Sequence, residues 1–146
     1  MSLITDQVFY NALKSNTELV SKVGGRIENT AITGPDEQLL NQPVPYIIIT
    51  FEDLKNEGFN KDNSFEGDID KVWIGIEIAA EDRETLGDIA QAIRQTVKSY
   101  FLGTTHEKDD YDLVPEDYEF SASKIQYDPI KPCFWQTLIY ECDTNP

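Results

Sequence analysis

The chain has 146 residues, of which 27 are Asp or Glu and 12 are Lys or Arg, so its formal net charge at pH 7 is −15. Hydrophobic residues at 40% and aromatic residues at 11% exclude a disordered acidic tail. The acidic excess excludes general electrostatic binding to nucleic acid, which needs Lys and Arg to displace counterions from phosphates, and it disfavours docking on an anionic membrane. We expect a soluble protein with one domain over residues 1–146 and neither a signal peptide nor a membrane span.

The N-terminal part of the chain predicts short helices followed by a strand. Apolar residues at helical spacing over 3–14 indicate an amphipathic helix. Ser15 and Glu18 have the spacing of a capping box for one further turn over 17–22, which Gly24-Gly25 would end. Residues 26–32 then predict a short strand.

The central part of the chain predicts two strands and one long helix. The apolar, β-branched stretch 46–51 is typical of a strand that is covered on both faces, and the alternation over 72–78 indicates a strand with one core face. Asp82 is a good N-cap for the next helix, whose apolar stripe runs for about four turns to Phe101 before Gly103.

The C-terminal part predicts two strands, over 118–127 and 133–142, joined at Asp128-Pro129. The predicted order is therefore α-β-β-β-α-β-β. This order indicates an α+β domain in which one long helix packs on a mostly antiparallel sheet. The edges of that sheet that could pair between subunits are expected at 26–32 and 133–142.

The two cysteines, Cys133 and Cys142, lie nine positions apart in one predicted strand. An odd separation places them on opposite faces, about 30 Å apart along the strand. A disulfide needs Cα atoms within about 7 Å, so we expect two free thiols.

Three segments have residues typical of a catalytic or metal-binding site, and each is also explained by an exposed polar loop. Thr104, Thr105, His106 and Asp109 invite a catalytic reading, but side chains this close on one loop rarely hold the geometry of a triad. Residues 62–70 partly resemble a calcium loop, yet the twelfth position is Trp73 instead of a bidentate glutamate. Clustered carboxylates at 109–117 could suit glycoside hydrolysis, although nothing marks one of them as desolvated. We therefore predict no catalytic residue, no cofactor and no metal site.

The charge distribution is more informative than these motifs. Residues 52–70 contain seven acids and two lysines, and residues 103–119 contain seven acids and one lysine. The first segment is predicted to be a long acidic loop or hairpin arm and the second an acidic loop, and together they hold −11 of the net −15. Such concentrated charge either serves solubility or forms a surface that repels or imitates polyanions.

A succession of short motifs resembles a known family. Lys22-Val23-Gly24-Gly25-Arg26-Ile27 follows the N-terminal helix, and Pro43-Val44-Pro45-Tyr46-Ile47 opens a strand. The strand at 72–78, the passage 80–85 and a helix carrying Ala90, Ile93, Arg94 and Val97 come next. Over residues 3–102 the chain is similar to the small tail-completion, or tail-terminator, proteins of long-tailed bacteriophages and prophages, which include the U-type minor tail proteins.

The resemblance implies a structural role without catalysis. Proteins of this family form a ring, commonly hexameric, that caps the tail tube, stops its polymerisation and presents a surface to the neck of the head. The implied partners are other copies of the chain, tail-tube proteins and head-neck proteins, and DNA passes through the ring without specific binding. The implied location is the bacterial cytoplasm during assembly and then the virion tail.

One acidic loop of such a ring is expected to face the channel, because carboxylates there would keep DNA from binding. The candidate channel- or partner-facing residues are Glu66, Asp68, Asp70, Asp109, Asp110 and Asp112. The alternative function is that of an acidic DNA mimic or inhibitor, which would bind a basic enzyme that processes nucleic acid.

Overall fold

A six-stranded sheet forms the centre of the fold, and helices pack on one of its faces. The structure, a computed structural model, describes residues 2–30, 42–57, 69–102 and 117–144. The strands are β1 (Ile27–Asn29), β2 (Tyr46–Glu57), β3 (Ile69–Ala80), β4 (Asp117–Ala122), β5 (Gln126–Asp128) and β6 (Cys133–Thr144). The helices within the described residues are a 3-10 turn (Ser2–Ile4), α1 (Thr5–Ser15), α2 (Thr17–Lys22) and α3 (Arg83–Leu102). The α+β class predicted from the sequence is confirmed.

The strand order is β1-β2-β3-β6-β4, and β5 pairs with β6 beyond the end of β4. β1 is parallel to β2, and all other pairs are antiparallel. β1 is an edge strand, as expected for the segment that begins at residue 26. The prediction of an edge at 133–142 is wrong, because β6 pairs with β3 on one side and with β4 and β5 on the other.

Helices α1, α2 and α3 bury their apolar stripes against one face of the sheet, which we call the inner face. Phe9 of α1, Ile93 of α3 and Ile76 of β3 are fully buried in this core. Phe9 lies 5.1 Å from Phe101 and 5.2 Å from Tyr140, measured between ring centroids, so aromatic packing joins both long helices to β6. Burying each such side chain stabilises the fold by about 1.5–3 kcal/mol.

The opposite face of the sheet is the outer face, and it carries a smaller cluster of buried residues. This outer cluster consists of Tyr46, Ile48, Ala79 and Cys133, with Val44 and Trp135 packed against it. No residue of the described helices belongs to it. The cluster explains why the 46–49 stretch is buried on both faces, as its sequence predicted.

Both cysteines of β6 are free and buried, as predicted. Cys142 belongs to the inner core and Cys133 to the outer cluster, which confirms that they lie on opposite faces. Burial raises the pKa of Cys142 to about 12 and raises that of Cys133 as well.

Two helix starts show how local chemistry sets the boundaries. Asp82 caps α3, since its Oδ1 accepts a 2.7 Å hydrogen bond from the Thr85 backbone N–H, and this bond lowers the pKa of its carboxyl. The capping box predicted at Ser15 is wrong. Asn16 caps α2 instead, because its Oδ1 accepts from the N–H groups of Glu18 and Leu19.

The segment predicted as one strand over 118–127 is two strands. The last pair of β4 is Ala122↔Leu138 and the first pair of β5 is Gln126↔Trp135, so residues 123–125 lie opposite only residues 136–137 of β6. The segment therefore contains one extra residue. Ser123 stabilises this irregularity, because its N–H donates to the Thr137 carbonyl and its Oγ accepts from the Thr137 N–H. The interruption is therefore a bulge in which side-chain and backbone groups of Ser123 replace the regular ladder.

The acidic segment over 52–70, predicted to be a long loop or a hairpin arm, is a hairpin arm in its described parts. β2 continues to Glu57 and β3 begins at Ile69, so the two strands form a long hairpin arm. Residues 52–57 have no apolar alternation because most of this end of β2 is exposed. Hydrogen bonding to β3 makes it a strand nonetheless. The second acidic segment, predicted over 103–119, likewise ends in β4 from Asp117 onward.

Candidate interaction surfaces

The outer face of the sheet is acidic. A bulge between Phe51 and Asp53 inserts Glu52 into β2. The side chain of Glu52 lies directly over Gly75 of β3, where an added Cβ would be 2.5 Å from the Glu52 Oε1 atom. Asp53 pairs with Trp73 on the same face. The bulge thus places two successive carboxylates on one face of the sheet. The described carboxylates that share this face are Glu28, Glu52, Asp53, Glu57, Glu77, Glu119, Asp128, Glu141 and Asp143.

Lysines neutralise only part of this charge. Lys71 lies 3.4 Å from Glu141 and 3.7 Å from Glu57, and the hydrogen bond to Glu141 raises the pKa of Lys71. Lys55 pairs with Lys71 across the hairpin. The outer face thus carries nine described carboxylates and three lysines, Lys55, Lys71 and Lys131, and together these residues have a net charge of −6.

At one end of the outer face, Lys131 covers the outer cluster. Its Nζ lies 5.0 Å from the centroid of the Tyr46 ring and donates a 2.6 Å hydrogen bond to the Gln42 carbonyl. Burial raises the pKa of Tyr46 to about 12, with the nearby Glu77 adding to the effect. Tyr46 is therefore neutral throughout the physiological range and acts as an apolar platform for the ammonium group.

The β5–β6 hairpin presents apolar side chains to solvent. Ile130, in its turn, is 94% exposed, Tyr127 is 52% exposed and Ile125 is 40% exposed. Beside them, a shallow depression of about 370 Å³ is lined by Arg83, Ile125, Gln126, Tyr127 and Phe134. Apolar residues gathered in this way are typical of a protein contact surface.

A groove of about 320 Å³ runs between α3 and β4. The Cζ atom of Arg94 lies 4.3 Å from the centroid of the Phe120 ring, which is within cation–π range. Lys98, one helical turn further along α3, lines the same groove. The lining also includes Gln91, Gln95, Tyr118 and Tyr140.

A second groove, of about 390 Å³, separates α2 from α3. Asn16 lies in it, and its Nδ2 donates a 2.7 Å hydrogen bond to Thr96 Oγ1, whose hydroxyl bonds to the Ala92 carbonyl. These polar groups satisfy one another and hold the two helices together. Their arrangement therefore serves packing.

The buried acids of the described residues also have structural partners. Asp70, which is 6% exposed, accepts hydrogen bonds from Ser2 Oγ and from Asn56 Nδ2. Asp6, which is 5% exposed, accepts a 2.9 Å bond from Asn29 Nδ2. Within the described ranges, no group of three or more His, Cys, Asp or Glu residues could hold a metal ion.

The structure describes few of the residues singled out in the sequence. Asp70 was predicted in an acidic loop that faces a channel or partner, but it lies in β3 and is buried, because Ser2 of the N-terminal turn packs over it. Trp73, at the twelfth position of the calcium-loop resemblance, also lies in β3. The other candidates lie outside the described residues: Glu66, Asp68, Thr104, Thr105, His106, Asp109, Asp110 and Asp112.

Sequence reasoning missed the Arg94–Phe120 contact and the exposed apolar hairpin. The helical stripe predicts which face of α3 is buried, but it does not predict which strand lies beside the exposed Arg94. Two features of the sequence could have located this apolar surface: the predicted turn at Asp128-Pro129, and the apolar Ile130 that follows it within the turn.

Comparison with known proteins finds a similar fold among solved structures but no matching sequence family. No family model matches the chain, and no curated protein matches it. Among solved structures, the chain is similar to one from the virion of a native gene transfer agent particle. The TM-score is 0.66 and the identity is 13%, and the match covers 94% of this chain and 92% of the other. At this identity the likeness shows a shared fold. Among the described residues, none of the helices is long and apolar enough to cross a membrane.

Proposed function

We propose that this protein is a structural component of a phage or prophage virion, and more specifically a tail-completion protein. The observation that carries the proposal is the fold shared with a chain of a gene transfer agent virion over nearly the full length of both chains. The family resemblance over residues 3–102 supports the same role. The described surfaces agree with it, since they consist of an acidic sheet face, an apolar hairpin and a cationic groove.

In the proposed role, copies of the chain form a ring that caps the tail tube and joins it to head-neck proteins. The acidic residues Asp109, Asp110 and Asp112 are proposed to face the channel, where they would discourage phosphate binding as DNA passes. The role requires no catalytic residue or cofactor.

Deletion of the gene from the phage or prophage that encodes it tests this function. We expect tail tubes of abnormal length without attached heads in electron micrographs, and we expect the wild-type gene supplied in trans to restore joined particles. Tails of normal length joined to heads after deletion would contradict the proposal.

In the same assay, replacing Asp109, Asp110 and Asp112 with Lys is expected to permit assembly and to slow DNA delivery. Unchanged delivery would refute the channel-facing position alone.

The acidic outer face supports a second candidate, an inhibitor that imitates DNA. Its nine described carboxylates on one sheet face offer a basic enzyme a polyanionic surface. Tight one-to-one binding to a basic nuclease, weakened by salt, would favour this function. Light scattering that shows a ring, formed alone or on adding tail-tube protein, would favour tail completion.

A further inference from the structure

The cationic groove between α3 and β4 holds a positive charge in a fixed position. The guanidinium of Arg94 rests on the Phe120 ring, and Phe120 in turn lies 5.2 Å from the buried Tyr140. Because Tyr140 is part of the core, the aromatic support under the guanidinium is rigid. A planar guanidinium held in this way is preorganised to bind a carboxylate, because little side-chain freedom is lost on binding.

The groove concentrates positive charge that the described residues do not neutralise. Arg94 and Lys98 are four residues apart on α3, a spacing at which like charges repel by about 0.2–0.5 kcal/mol. Neither forms an ion pair with a described carboxylate, whereas Lys71 on the outer face forms two. Arg94 and Lys98 thus make this groove a cationic surface in a chain with 27 acids and 12 basic residues.

We propose that this groove binds carboxylates of a second copy of the chain. A copy carries a net charge of −15, and its outer sheet face presents nine described carboxylates, so the groove and this face are complementary in charge. At 0.15 M salt the general repulsion between copies is screened beyond about 8 Å, while a direct guanidinium–carboxylate contact is not.

The proposed contact joins two different surfaces, a groove on one copy and acidic side chains on the next. Such a heterologous contact builds a ring when its rotation closes. The inference deepens the proposed function, on which its ring geometry rests, by naming the surface through which the subunits bind one another.

Sedimentation velocity of the full chain at about 100 μM protein and 0.15 M salt tests the proposal. The wild type is expected to form oligomers, and the double variant Arg94→Glu with Lys98→Glu is expected to weaken association at least tenfold. The matched control, Lys14→Glu with Lys22→Glu, makes the same change of net charge elsewhere on the helices and is expected to assemble. Phe120→Leu, which removes the aromatic support but keeps an apolar side chain, is expected to weaken association by a smaller factor.

Urea unfolding checks that each variant is folded, and Arg94→Gln with Lys98→Gln provides a milder pair if charge reversal disturbs α3. A wild type that stays monomeric at this concentration would overturn the proposal. Equal weakening by the control pair would overturn it too, because net charge would then account for the effect. A monomeric chain that still restores joined particles in the deletion assay would refute the groove contact alone and leave the proposed function standing.

Discussion

At the scale of single residues, the position of a carboxylate decides what it does. Asp53 and Asp70 belong to the same acidic segment of the sequence, yet Asp53 is exposed on the outer face and Asp70 is buried. Asp70 binds Ser2 and Asn56, so it links the N-terminal turn to both strands of the β2–β3 hairpin. The acidic residues around Asp70 in the sequence predicted an exposed, charged position, whereas its burial and hydrogen bonds show that it stabilises the fold.

Replacing Asp70 with Ala is therefore expected to destabilise the fold by roughly 1–3 kcal/mol, because the buried Ser2 hydroxyl loses its acceptor and the exposed Asn56 amide loses a partner. The control is Asp53→Ala, which removes an exposed carboxylate and is expected to change the free energy of unfolding by less than about 0.5 kcal/mol. Urea denaturation of both variants measures the difference. Equal effects would show that Asp70 contributes no more than a surface acid does.

At the scale of secondary structure elements, local patterns predicted the helices well and the strand boundaries less well. The α3 stripe from Leu86 to Phe101 and its Asp82 cap are present as predicted. The ends of β2 and the interruption at Ser123 depend on which residues the neighbouring strand presents. A bulge adds one residue to one strand, and no periodicity in that strand alone marks its position.

Two glycines allow the helix ends and interiors to be tested separately. Gly87 lies on the exposed side of α3, where an added Cβ would meet nothing within 4 Å, so Gly87→Ala is expected to stabilise the protein by about 0.5–1 kcal/mol. Gly25, after α2, also has open space but a φ of +77°, so Gly25→Ala is expected to destabilise it by roughly 1 kcal/mol. The urea midpoints of the two variants should shift in opposite directions. A shift in the same direction would contradict the backbone argument.

At the scale of the whole molecule, the two faces of the sheet have different roles. The inner face binds the helices and forms the core, while the outer face carries most of the described sheet carboxylates around a small apolar cluster. Ionisable groups that are buried on both faces also make the stability of the molecule depend on pH.

We expect the free energy of unfolding to fall as pH rises above 9. Burial raises the pKa of Cys142 from 9.0 to about 12 and that of Tyr46 from 10.0 to about 12, so the unfolded chain loses these protons first and stability decreases. Cys142 alone accounts for roughly 2.5–3 kcal/mol of this loss at pH 11.

Urea unfolding of the wild type and of Cys142→Ala at pH 8 and pH 11 measures this contribution. The alanine variant starts from a lower stability because a buried side chain is shortened, but it should lose less than the wild type between the two pH values. An equal loss in both proteins would show that the Cys142 thiol is not the group responsible.

The sequence by itself determined the α+β class, the buried faces of the helices and of β3, and the opposite positions of Cys133 and Cys142. These features follow from local periodicity, because a side chain's direction in a helix or strand depends only on its place in the repeat. Only the tertiary structure decided that β6 lies inside the sheet, that Asp70 is buried under Ser2, and that Arg94 rests on Phe120. Each of these depends on contacts between residues that are far apart in the chain, and the spacing of residues along one segment carries no information about them.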